Sequence, residues 1–170
     1  MTKLTPTFGS QTATADGFTV VITNYDAAYT WAGTATASGA VVVSGTGLVT
    51  VTNVAPGTSS TATITTTRTG YTGGTAQITA TSLLGAALNP TFGTPTATAT
   101  GFTVQITNYS SAYNWAGTAT ASGTVAINSS TGLATITGVA ANTSSTATIT
   151  TTQAGYAVGT ADVTETSAAT

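Results

Sequence analysis

The 170-residue chain carries two cations, Lys3 and Arg68, and four acids, Asp16, Asp26, Asp162 and Glu165, with no histidine and no cysteine. Charged residues are 4% of the sequence, against about 25% in an ordinary soluble domain; two cations cannot neutralise a nucleic-acid backbone, so nucleic acid is excluded as a main partner. Without histidine or cysteine there is no disulfide, no thiolate or imidazole metal site and no histidine-based triad, so neither a cofactor nor an enzymatic activity is expected.

In chain order, runs rich in Thr, Val and Ile alternate with period two and are broken by Gly, Asn and Pro, the pattern of short antiparallel strands. It predicts strands over residues 7–14, 17–24, 29–37, 40–44, 48–53, 60–68 and 75–82. The same order then returns. Phe8, Phe18, Tyr25, Tyr29 and Trp31 recur as Phe92, Phe102, Tyr109, Tyr113 and Trp115 at an offset of 84, and Tyr71 recurs as Tyr156 at 85. The extra residue falls between VVVSGTGL and VAINSSTGL, in a turn, where an insertion is best tolerated.

A repeat of this length is a domain and not a solenoid coil. The expected organisation is domain 1 over residues 1–85, a short apolar linker at 86–89, and domain 2 over residues 90–170. About seven strands in ~80 residues is the count of an immunoglobulin-like sandwich, so the fold class is all-β, two tandem immunoglobulin-like β-sandwich domains. No apolar run approaches the ~18 residues that a membrane span needs.

Differences between the copies assign the faces. Phe18, Val20 and Ile22 persist as Phe102, Val104 and Ile106, whereas Val21 becomes Gln105, so the first set points inward and Val21 outward. By the same comparison Val51 with Ile136, Ile64 with Ile149 and Ile78 with Val163 are core positions. Arg68 with Gln153 and Gln77 with Asp162 lie outside. Most threonines take the outward register, where β-branching suits the pleat and the hydroxyl suits water.

The stretches TNYDAAYTW and TNYSSAYNW concentrate the aromatics. Tyr29 and Trp31 are two apart on the third predicted strand and are expected to share a face, with Trp31 and Trp115 as core aromatics. Tyr25 and Tyr109 sit in the preceding turn. For them structural packing, a partner interface and ligand contact are open alternatives, and they are the candidate contact residues. Asp16 and Asp26 lie in different turns, with Thr100 and Ser110 as counterparts, and are expected to be solvated surface groups.

The segment TSLLGAALNP joins the copies. Leu83 and Leu84 are matched by Ala168 and Ala169, whereas Leu88 matches Leu4. Leu83 and Leu84, leucines where a second domain follows and alanines in the other copy, point together with Leu88 to interdomain residues, expected to be buried in a semi-rigid joint, since a flexible linker is rich in Gly and Ser.

The segments LVTVTNVAPGTSSTATITTTRTGY and LATITGVAANTSSTATITTTQAGY resemble the fibronectin type III and bacterial or phage immunoglobulin-like repeats, in which a strand ends in a PGT corner. The tyrosine usual after that corner is here Ser60 or Ser145, and Pro56-Gly57 becomes Ala141-Asn142, so the corner must be held differently. The resemblance implies a spacer, decoration or adhesion module. Its first expected setting is a virion accessory protein on a phage capsid or tail, with other virion proteins as partners and host-surface glycans as a further contact. MTKLTPTFG has no signal-peptide-like apolar stretch, and assembly in the host cytoplasm is expected accordingly. The alternative setting is a fragment of a bacterial cell-surface adhesin or spacer.

Overall fold

The computed structural model describes residues 3–169, and every regular element in them is a β-strand. The chain divides into two compact units, Met1–Gly85 and Ala86–Thr170. The first contains β1 (Thr12–Thr14), β2 (Gly17–Val21), β3 (Thr30–Ala35), β4 (Ala40–Val43), β5 (Leu48–Thr52), β6 (Ser59–Thr67) and β7 (Gly74–Thr81). They pair antiparallel in two sheets, ordered β1-β2-β5-β4 and β3-β6-β7. Lettered A to G in chain order, these are sheets ABED and CFG, the constant-type immunoglobulin arrangement.

The second unit repeats the plan. Its strands are β8 (Thr96–Thr98), β9 (Gly101–Gln105), β10 (Asn114–Ala119), β11 (Thr124–Ile127), β12 (Leu133–Thr137), β13 (Ser144–Thr152) and β14 (Gly159–Thr166). The sheets run β8-β9-β12-β11 and β10-β13-β14. Each unit is an immunoglobulin-like β-sandwich. The predicted first strand is split in both, into an isolated bridge, Phe8 to Ile22 or Phe92 to Ile106, followed by β1 or β8.

The period-two pattern fixes the core. Phe18 and Val20 on β2 stand opposite Val51 and Val49 on β5, and all four are at most 2% exposed. Ile64 on β6 faces them from the other sheet. Ile78 and Val163 are only partly buried against these cores. Close approach on β3 requires a glycine: a Cβ at Gly33 would lie 2.6 Å from a Val41 methyl and 2.8 Å from the Ile64 Cδ1. Outward residues follow the expected register, with Val21 50% exposed.

Two threonines break the outward rule. Thr66 and Thr151 are buried, and each donates its hydroxyl to a backbone carbonyl, of Leu4 and Leu88 respectively, at 2.6 Å. The Thr66 hydroxyl also accepts from the Gly74 amide at 3.0 Å. A single β-branched hydroxyl thus ties the leading segment of the unit to the β6–β7 pair while filling an inward position.

The corner before β6 is held by a serine just past β7, while Ser60, at the tyrosine position, donates to the Thr36 carbonyl at 2.9 Å. Ser82 donates to the Ala55 carbonyl at 2.6 Å and accepts from the Thr58 amide at 3.2 Å. Ser167 repeats this with Ala140 and Thr143 at 2.5 and 3.0 Å. Gly57 (φ 63°) becomes Asn142 (φ 53°), and Asn53 (φ 62°) becomes Gly138 (φ 83°). Asparagine is the usual non-glycine occupant of the left-handed region, so these exchanges leave the turns unchanged.

Candidate functional site

The tyrosines and the tryptophan of each unit pair up from the turn before the third strand, that strand and the connection between the last two strands. In the first unit the Tyr25 ring stacks on Trp31, centroids 5.3 Å apart and planes at 26°. Tyr25 rests over Gly47 (φ 82°), where an added Cβ would lie 2.6 Å from the tyrosine Cβ. The Trp31 indole N–H donates to the Asp26 carbonyl at 2.9 Å. Tyr29 pairs with Tyr71 edge-to-face at 5.8 Å, and the Arg68 guanidinium carbon lies 5.3 and 4.6 Å from their ring centroids.

This corrects two expectations. Trp31 and Trp115 pack against the cores but are only partly buried, and the fully buried aromatics are Phe18 and Phe102 on the second strand of each unit. The indole N–H needs a partner, and the turn carbonyls of Asp26 and Ser110 hold it at the rim. Tyr29 does not join Trp31, because β3 begins at Thr30 and strand alternation does not extend back to it; the two rings take different partners.

In the second unit Tyr109 packs on Trp115 at 5.3 Å and donates its hydroxyl to the Ser129 carbonyl at 2.7 Å. The Trp115 N–H donates to Ser110 at 2.8 Å, and Tyr113 meets Tyr156 at 6.0 Å. Here the aromatic cluster opens into a cleft of about 350 Å³, lined by Tyr109, Tyr113, Trp115 and Ile127. Ser111, Asn114 and Ser129 add polar groups. These three escaped the sequence reading, although a signal was present: each stands where the copies differ, opposite Ala27, Thr30 and the one-residue insertion.

Of the two candidate contact residues, Tyr25 and Tyr109 are both partly buried and packed against the core of their own unit, and Tyr109 also lines the cleft. Asp16 accepts from the Asn53 amide at 3.0 Å and so ties the β1–β2 turn to the end of β5, whereas Asp26 accepts from the Ala28 amide at 2.8 Å and braces its own turn. Among the described residues no three acidic side chains come together as metal ligands. Leu83 and Leu84 are 52% and 61% exposed, and Leu88 is partly buried. What is fixed at Leu83 is its backbone, bonded to Thr14 and Gly57, and at Leu88 its carbonyl, bonded to Thr151.

No protein-family model and no curated protein matches the chain. Among solved structures it is similar to the titin domains Z1Z2 in complex with telethonin, with 16% identity over 100% of this chain and 98% of that one, at a TM-score of 0.41. It is also similar to the protocadherin GammaB4 extracellular domain, with 11% identity and a TM-score of 0.34, covering 94% of this chain and 32% of that one. The class of protein rests on the strand order described above: a tandem pair of immunoglobulin-like sandwiches.

Proposed function

We propose that the chain is a non-enzymatic structural and adhesive module that works covered by other subunits of an assembly, in its finer form a virion accessory protein decorating a phage capsid or tail. The observation that carries this reading is at the sheet edges. In the first unit the edge strands β1, β4, β3 and β7 contain no charged residue at all. On the second unit only β14 carries any, Asp162 and Glu165. Free edges are ordinarily guarded by Lys, Glu or Pro against pairing with other chains. Uncharged edges, together with Val42 at 64% exposure on β4, fit a surface that is occupied in use.

The tandem repetition of one sandwich favours the second setting, a spacer or adhesin segment on a bacterial surface, and the same experiment separates the two. Purified chain is incubated with phage particles lacking it and, separately, with bacterial cells, and pelleted. Saturable retention on particles supports the virion role; retention on cells alone supports the surface role. A chain that is retained on neither, and sediments as a monomer at high concentration, overturns the assembly reading.

A further inference from the structure

We infer that the cleft of the second unit is a binding site for an uncharged pyranose sugar, and that the first unit lacks the equivalent site. The polar tips of its two anchored rings are already engaged, the Trp115 N–H by Ser110 and the Tyr109 hydroxyl by Ser129, so both rings are held rigidly. Rigid aromatic faces lose little entropy on contact and match the apolar C–H face of a pyranose.

Beside the rings, Ser111 and Asn114 are exposed at the rim. A carboxamide both donates and accepts, so Asn114 can engage two adjacent sugar hydroxyls at once. No charged residue lines the cleft, which leaves nothing to select a uronate or sialate. Its volume of about 350 Å³ sits at the small end of ligand sites.

The copies differ at the groups that matter. In the first unit Ser111 and Asn114 are replaced by Ala27 and Thr30, and the residue inserted near Ser129 is absent. Arg68 covers the Tyr29 ring, whereas its equivalent in the second copy is Gln153, which carries no cation. One aromatic scaffold therefore has its tyrosine capped in the first unit and open in the second.

The inference deepens the adhesive part of the proposed function and rests on it for the source of the sugar, a cell-surface glycan. Its test uses the full chain and saturation-transfer NMR with the methyl glycosides of glucose, galactose, mannose and N-acetylglucosamine. Saturable binding of at least one is expected, weakened about tenfold by Asn114→Ala or Tyr113→Ala. Tyr29→Ala should leave it unchanged. Gln153→Arg, which installs the side chain that the first unit already accommodates, should weaken it to a similar degree. Failure of all four glycosides to bind, binding indifferent to Asn114→Ala and Gln153→Arg, or equal loss with Tyr29→Ala would overturn the site. Retention on particles without sugar binding overturns the cleft alone, and sugar binding without retention overturns the assembly role alone.

Discussion

The ring of Tyr25 lies stacked on that of Trp31, and the indole N–H of Trp31 reaches back to the carbonyl of Asp26, the residue directly after Tyr25. Turn and strand are thereby fastened twice, once through ring faces and once through a hydrogen bond. Stacked pairs contribute about 0.5–1.5 kcal/mol beyond their burial. Tyr25→Ala should destabilise the first unit by about 2–3 kcal/mol, less than a fully buried aromatic would. Since each unit holds one tryptophan, urea unfolding followed by fluorescence in a Trp115→Phe background reads the first unit alone; an unshifted midpoint would show the stack to be ornamental.

The turn at residues 36–39 closes with a Gly39 amide to Thr36 carbonyl bond of 3.0 Å, and both central residues, Ala37 (φ 52°) and Ser38 (φ 59°), have positive φ. Type I′ turns of this kind favour Asn-Gly, and a left-handed conformation strains other L-residues by about 1–2 kcal/mol each. The double substitution Ala37→Asn with Ser38→Gly should raise the stability of the first unit by about 1–3 kcal/mol. Thermal unfolding of that variant checks it, and a lower midpoint would contradict the assigned strain.

Thr66 is buried with its hydroxyl bridging the Leu4 carbonyl and the Gly74 amide. Thr66→Val keeps the shape and strands both backbone groups, so a loss of about 1–3 kcal/mol is expected. Thr66→Ser keeps the bridge and should lose less. Equal losses in the two variants would mean that packing, and not the hydroxyl, is what matters there.

Arg68 stands over the rings of Tyr29 and Tyr71. Arg68→Gln, the residue found in the second copy, should lower stability by about 0.5–1 kcal/mol, the value of an exposed cation–π contact. Arg68→Lys should retain part of it. A gain in stability from Arg68→Gln would contradict the contact.

The strands and the inward positions were legible because alternation and a second copy test each other: Val21 against Gln105 marks an outward face, and Phe18 with Phe102 an inward one. For Thr66 only the face was legible, two residues after Ile64, and not the role. Its neighbours Thr65 and Thr67 look the same in sequence, and only its partners, the distant Leu4 carbonyl and the Gly74 amide, show why a threonine lies inside. Trp31 was placed too deep for a similar reason, since its hydrogen-bond partner lies in the turn and not on a strand. The cleft was half legible: the aromatics were evident, but that Ser111 and Ser129 gather beside them and beside Asn114 at the start of β10 depends on loop conformation.

Strands β6 and β13 are the same nine residues, SSTATITTT, and each occupies the middle of its three-stranded sheet in the same pairing with its neighbours. To the unfolded chain they are interchangeable, so β3 and β7 meet a second template of identical sequence within the same molecule. Tandem repeats this alike are prone to misassembly on refolding. Dilution from denaturant should therefore yield, beside the native protein, a long-lived population with exchanged central strands, and its share should fall when conservative substitutions make the two sequences distinct.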